Sequence, residues 1–299
     1  MKVLISGATG LVGTALSQAL RDRGDAPVTL TRSPDRAEGP AVGWDPNRSE
    51  LDLGDVEGFD AVVHLAGESI ASGRWTAEQK RRIQESRTKG TALLADALAR
   101  ADAPPSVFVS ASAIGFYGDR GDEPLEETAD PGKTFLAEVC MAWEAAAEAA
   151  RQAGVRVVHP RIGVVLAADG GALPKMLLPF KLGMGGRIGS GDQYMPWVGL
   201  DDVVGLILHA IDHAEVRGPM NVTAPEPVTN AAFTRALGKV LGRPTFVPLP
   251  AFAAKLALGE MADELLLSSA RVLPRVALDT GYRFRFSDVE TCLRATLGG

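Results

Sequence analysis

Gly7-Ala8-Thr9-Gly10-Leu11-Val12-Gly13 stands between a short apolar run, Lys2–Ser6, and a stretch with helical spacing, Leu11–Arg23. The run reads as a buried parallel strand, and Gly24 is a stop for the helix. Glycine at the first position permits a tight turn, at the second it lets the backbone approach a pyrophosphate, and at the third it lets helix pack close to strand. Free N–H groups and the dipole at the helix start would then hold the anion. A glycine triplet alone is a weak signal, and the strand before it and the helix after it give it weight. The bland reading is a strand–helix turn with no ligand. Val28–Thr31 follows as a second strand, which completes one mononucleotide-binding half-unit.

Outward from that unit the pattern repeats. Asp60–Leu65 is a further buried strand ending at Ala66-Gly67, Thr76–Ala101 is a long charged helix, and Ser106–Ser110 is another strand. Lys133–Gly154 reads as helix and Arg156–Val158 as strand. Strands alternating with helices predict an α/β fold, a Rossmann-type doubly wound parallel sheet. Beyond about Ile162 the texture changes. Gly183–Gly191 is a glycine-dense loop, Asp201–Ala214 and Asn230–Leu241 are helical, Pro219–Thr223 is a strand, Pro244–Pro250 is a connector, and Phe252–Leu267 is helical again. The expected division is a nucleotide-binding domain over residues 1–165, with elements returning to it up to about 230. A smaller C-terminal substrate-side lobe takes residues 166–299, its helical end at 248–299.

The net charge of −6 argues against nucleic acid as a partner, because phosphate-backbone binding needs a basic surface. No apolar run approaches the ~18 residues of a membrane span. The two cysteines, Cys140 and Cys292, form no redox, metal or disulfide spacing, which fits a reducing cytoplasm. His209 and His213 stand four apart on a predicted helix. They lack the flanking residues of a zinc motif, so no metal site is expected.

The second strand ends Leu30-Thr31-Arg32-Ser33, without an acid. NAD-binding folds place a carboxylate there for the ribose hydroxyls, and it would repel a 2′-phosphate. Arg32 instead offers a bidentate partner for that phosphate and Ser33 a hydrogen bond. NADP(H) is therefore the expected cofactor, with NAD(H) possible. The bland reading of Arg32 is a solvated arginine after a strand.

Gly7–Gly13, with three residues from the first glycine to the second, resembles the phosphate turn of the short-chain dehydrogenases/reductases. His64-Leu65-Ala66-Gly67 is similar to their Asn/His-x-Ala-Gly segment. Ser110-Ala111-Ser112 with Phe116-Tyr117-Gly118 resembles the serine-rich strand and Tyr-Gly of the extended, epimerase-like subclass, and Val158-His159-Pro160-Arg161 its Pro-Arg segment beside the nicotinamide. Gly73-Arg74-Trp75-Thr76, Ser86-Arg87-x-x-Gly90-Thr91, Gly189-Ser190-Gly191-Asp192-Gln193 and Asn221–Asn230 resemble the atypical epimerase-family proteins of the YfcH-like group. In that group the segment from about Pro248 is a domain of unknown function. The resemblance implies cofactor contacts from Gly7, Thr9, Gly10, Leu11, Val12, Gly13, Arg32, Ser33, Leu65, Ala66, Gly67, Ser110, Ala111, Pro160 and Arg161.

One departure matters for chemistry. Extended-subclass enzymes carry a Tyr-x-x-x-Lys pair, the lysine lowering the tyrosine pKa so that it transfers a proton near neutral pH. The matching positions here are Phe135 and Val139, which carry neither proton nor charge. Three groups are candidates for the missing chemistry. Ser112 matches the serine that bonds the substrate oxygen, or else satisfies a strand end. Tyr117 is a substitute acid, or else an aromatic wall without a lysine to shift it. Glu68 sits at a strand's C-terminal end, where ligands bind, or else serves a helix dipole. Arg74, Lys80, Arg81, Arg82 and Arg87 crowd one region, either to hold an anion or as a solvated helix face.

Two functions follow. One is an NADP(H)-dependent oxidoreductase or epimerase-like enzyme on an unknown small molecule; the other is a catalytically silent NADP(H)-binding module. A monomer and a homodimer fit the sequence equally.

Overall fold

A computed structural model describes residues 1–298. Its centre is a parallel sheet of seven strands: β1 (Lys2–Ser6), β2 (Ala26–Thr31), β3 (Ala41–Gly43), β4 (Ala61–His64), β5 (Val107–Ser110), β6 (Arg156–Ile162) and β7 (Gly218–Val222). Their spatial order is β7-β6-β5-β4-β1-β2-β3, and the short strand Ser112–Ala113 extends the pairing along β6. The chain lays down β1, β2 and β3 toward one edge, then returns to pair β4 with the other side of β1. That reversal opens a crevice at the carboxyl ends of β1 and β4, where open α/β sheets bind ligands.

Strand alternation divides the core between the two faces of the sheet. Val3, Ile5, Ala61, Val63, Val107 and Val109 face α1 (Leu11–Asp22) and the later helix Leu200–Asp212, through Leu16, Leu20, Val203 and Ile207. Leu4, Val62 and Phe108 face the opposite way, onto Leu94, Leu98 and Ala150. Those last three belong to α2 (Ala77–Arg100) and to the second of two helices, α3 (Phe135–Ala145) and α4 (Glu148–Gln152). The single helix expected over 133–154 is thus two, turning at Ala146–Ala147, which lets Ala147 and Ala150 pack into the core beneath α2.

The strand Gly218–Val222 closes one edge of the sheet, so the chain returns to it well past residue 166. A separate apolar cluster gathers Leu173, Leu177, Phe180, Phe233, Leu237 and Leu293. The helix expected over Phe252–Leu267 is interrupted: Ala251–Leu258 stops at Gly259, whose φ of +63° no other residue adopts cheaply. A short turn and a wide π-type turn, Asp263–Leu267, follow. No helix of the described residues is long and apolar enough to cross a membrane.

Candidate functional site

The crevice begins at the end of β1. Ser6 is buried, and its hydroxyl oxygen accepts from the N–H groups of Leu65 (3.2 Å) and Ala66 (3.3 Å). With both lone pairs engaged, the hydroxyl gives its proton to His64 Nδ1, 2.5 Å away. One serine therefore fixes the end of β1 against the segment leaving β4. His64 is fully buried, which pushes its pKa down to about 3 and keeps the ring neutral. It is a strut rather than a site group.

The phosphate turn follows at once. Gly7 has φ +71°, and a Cβ on it would lie 2.9 Å from Ala66 N and from Leu65 C. Gly13 is tighter still, since a Cβ there would lie 2.1 Å from Gly7 O. Gly10 is different: it is exposed, and a Cβ would only approach Gly7 O at 3.3 Å. It is the N-cap of α1 and provides no side-chain cap. The first N–H groups of α1 are left without an intrahelical acceptor, as at any helix start. Backbone donors, dipole and open approach coincide there, so the turn fits a pyrophosphate. Arg32 and Ser33 follow β2, both exposed, and Arg32 makes no ion pair among the described residues.

The other positions singled out in the sequence gather along the same edge, but several side chains are already engaged. Ser110 and Ala111 end β5 and are buried, and Pro160 lies inside β6. Arg161, 3% exposed, makes a bidentate pair with Glu144 of α3, Nε to Oε1 at 2.8 Å and Nη2 to Oε2 at 2.9 Å. Its Nη1 donates to the Tyr117 hydroxyl at 3.0 Å, and its guanidinium lies 3.4 Å over the Phe116 ring. Ser112 donates its only hydroxyl proton to Glu144 Oε1 at 2.6 Å, so in this arrangement it accepts but cannot donate. Tyr117 is fully buried and donates to Asn221 Oδ1 at 2.7 Å; burial pushes its pKa up. It packs with Leu125, Cys140 and Val272 as a wall of the core.

Glu127, Glu144 and Asn221 complete this buried network; no motif pointed to the two glutamates, and Asn221 stood in a resembling segment without an assigned role. The Glu127 carboxylate accepts from the N–H groups of Asn221 (3.0 Å) and Val276 (3.1 Å), and burial raises its pKa. The signal was faint: a glutamate inside the apolar run of α3 and an asparagine at the end of an apolar strand.

The basic cluster resolves into pairs. Arg81 bonds Glu78 at 2.6 Å, Lys89 bonds Glu85 at 2.8 Å, and Arg82 reaches Glu68 at 2.9 Å. Lys80 pairs with Glu260 at 2.5 Å, and Arg74 donates to the carbonyls of Leu256 and Ala257, so both tie the C-terminal segment to the sheet domain. Phe135 and Val139 lie on the first turns of α3. The Phe135 ring packs edge-on against Trp75 at 5.3 Å, and Val139 is buried. The N–H groups of Phe135 and Leu136 both donate to the Glu264 carboxylate, at 3.0 and 2.9 Å. His209 and His213 stack at 3.8 Å, with their bonds going to Thr280 and to the His209 carbonyl. No cluster of three metal-ligating side chains occurs among the described residues.

Residues 3–223 match the NAD dependent epimerase/dehydratase family, and residues 249–296 match a domain of unknown function, DUF1731. Epimerase family protein ML0860 of Mycobacterium leprae is 40% identical over 292 residues, 97% of this chain and 94% of that protein. The crystal structure of human epimerase family protein SDR39U1 (isoform 2) with NADPH superposes with a TM-score of 0.90 at 35% identity, covering 100% of both chains. A nucleoside-diphosphate sugar epimerase from Corynebacterium glutamicum gives 0.82 at 36% identity, over 100% of this chain and 58% of that one.

Proposed function

This chain belongs to the NAD dependent epimerase/dehydratase family, and from that premise we propose that it binds NADP(H) and acts as an atypical short-chain dehydrogenase/reductase on a small molecule. The observation that carries the reading is the turn at Gly7–Gly13, an uncapped helix start with an exposed glycine at the point of approach. The human relative solved with NADPH supports the choice of cofactor, as does the unpaired Arg32 where a carboxylate would signal NAD. When bound, the cofactor supplies hydride chemistry at its nicotinamide ring.

The residues of the chain supply the rest. The N–H groups opening α1 hold the pyrophosphate, Arg32 and Ser33 the 2′-phosphate, and Leu65–Gly67 with Ser110 and Ala111 line the path to the nicotinamide. Ser112 accepts a hydrogen bond from a substrate hydroxyl, and Glu68, about a third exposed and paired with Arg82, exchanges a proton with solvent. Tyr117 serves as a wall, because its hydroxyl is enclosed and already bonded.

A second reading is a silent NADP(H)-binding module. Phe135 and Val139 in place of the Tyr-Lys pair favour it, together with the engagement of Ser112 and Tyr117.

The test is a titration of the purified protein with NADPH, NADP, NADH and NAD beside an Arg32→Ala variant. NADPH should bind well and weaken about tenfold or more in the variant, the scale of one charge-assisted contact, while NADH changes little. If no dinucleotide binds, both readings fail and the glycine turn is purely structural.

A further inference from the structure

Of the five basic residues crowded around the start of α2, Arg87 is the one whose charge is neither paired with a carboxylate nor turned to a helix end. Arg81, Arg82 and Lys80 have glutamate partners, and Arg74 serves the carbonyls ending the helix Ala251–Leu258. Arg87 is partly buried between α2 and α3, and no ion pair reaches it among the described residues. Its Nη1 donates to the carbonyls of Glu68 (3.0 Å) and Ile83 (2.9 Å), while Nε and Nη2 make no hydrogen bond among the described residues. Its guanidinium lies directly beneath Gly67: a Cβ on that glycine would be 3.4 Å from Cζ and 3.6 Å from Nη1. The same group stacks over Trp143 at 5.0 Å. Trp143 is 6% exposed, and its indole Nε1 is buried without a partner.

A guanidinium with free N–H groups, next to an indole N–H that is also free, is a pair of donors lacking an acceptor. The indole N–H is desolvated and unpaired, which is costly, whereas the unused N–H groups of the half-buried Arg87 keep solvent contact and are open to an oxygen from a ligand. Location narrows the ligand. Arg32 follows β2 on one side of the phosphate turn, and Gly67 follows β4 on the other. A dinucleotide laid across β2, β1 and β4 puts its adenosine half over Arg32 and its nicotinamide half over Gly67. Val139 lies one helical turn before Trp143 on α3, so the cation stands close to where the lysine of the usual pair would be.

We infer that Arg87 is the site's own cation, and that it donates to an oxygen of the nicotinamide half of the bound dinucleotide in place of the absent lysine. This rests on the NADP(H) reading above. The planar fork fixes orientation as well as charge, so lysine at 87 would not replace it fully.

The experiment compares NADPH with adenosine 2′,5′-bisphosphate, which carries only the adenosine half, by calorimetric titration of the unmodified chain, Arg87→Met and Arg87→Lys, each with a melting curve. The expected result is NADPH binding weakened tenfold or more in Arg87→Met and less in Arg87→Lys, with the bisphosphate bound within about twofold of the unmodified chain. Equal weakening of both ligands would overturn the inference and make Arg87 a purely structural residue. Unchanged NADPH binding would overturn it too. Failure of the unmodified chain to bind NADPH and the bisphosphate alike would remove the cofactor reading itself, a different and recognisable outcome.

Discussion

The surroundings of His64, to which the sequence assigns no role, give it a structural one. It opens a segment similar to one that lines cofactors, yet it is sealed beneath Gly90 and Trp44 and bonded to Ser6. Burial holds its folded pKa near 3, below the 6.5 of the free side chain. The unfolded chain therefore takes up the proton first. The stability His64 contributes is complete above about pH 6.5 and is lost as pH falls toward 3. Between pH 7.5 and 5 that loss is about 2 kcal/mol, at 1.36 kcal/mol per pH unit below 6.5. Urea unfolding at the two pH values should show His64→Asn losing about 2 kcal/mol less than the unmodified chain. Equal losses would mean the ring is reached by solvent. Arg161, expected beside the cofactor, is held inside the protein by Glu144.

At the scale of the element, the three glycines of the phosphate turn carry separable duties. A Cβ on Gly13 would lie 2.1 Å from the Gly7 carbonyl oxygen, with no flexible side chain to yield, so helix and strand would have to part. Gly13→Ala should cost about 3 kcal/mol or more, the upper range for overpacking. A methyl group on Gly10 would press on Gly7 O at 3.3 Å, a contact that a shift of a few tenths of an ångström relieves, and on the proposed reading it would stand in the path of the pyrophosphate. Gly10→Ala should keep its melting point within a few degrees, in keeping with a cost of about 1 kcal/mol or less, and still bind NADPH at least tenfold more weakly. Melting curves and titrations of both variants read the two duties apart; a Gly10→Ala protein that binds normally would place the phosphate elsewhere. The spacing of these glycines was plain in the sequence because it is a local rule. The break at Gly259, the division of α3 from α4 and the partners of α2 were not, because tertiary packing selects among helical and turned conformations of similar intrinsic cost.

Across the whole molecule, the C-terminal segment is fastened to the nucleotide-binding sheet at sequence separations above a hundred residues. Glu264 caps α3 through the N–H groups of Phe135 and Leu136, Lys80 meets Glu260, and Arg74 meets the end of the helix Ala251–Leu258. A carboxylate at a helix start is favoured both by hydrogen bonding and by the dipole. Glu264→Ala should lower stability by about 1–2 kcal/mol and, more tellingly, speed amide exchange at Phe135 and Leu136 and limited proteolysis within 251–269. Unchanged exchange at those two amides would show that the cap contributes nothing to docking.

The alternation of strand and helix, the glycine turn, the lack of a carboxylate after β2 and the lack of any Tyr-x-x-x-Lys are legible in the chain alone. Each is written in residues close together in the chain, through a period, a turn conformation or a charge. Which polar side chains are engaged and which stay free depends on how the chain folds. Ser112 gives its proton to Glu144, Tyr117 turns inward to Asn221, and the basic cluster pairs off until Arg87, beneath Gly67, is left with neither a carboxylate nor a helix end as partner. Those outcomes depend on partners 32, 104 and 19 residues away. A hydrogen bond acts over about 3 Å of space whatever the separation in sequence, so no pattern in the chain announces it.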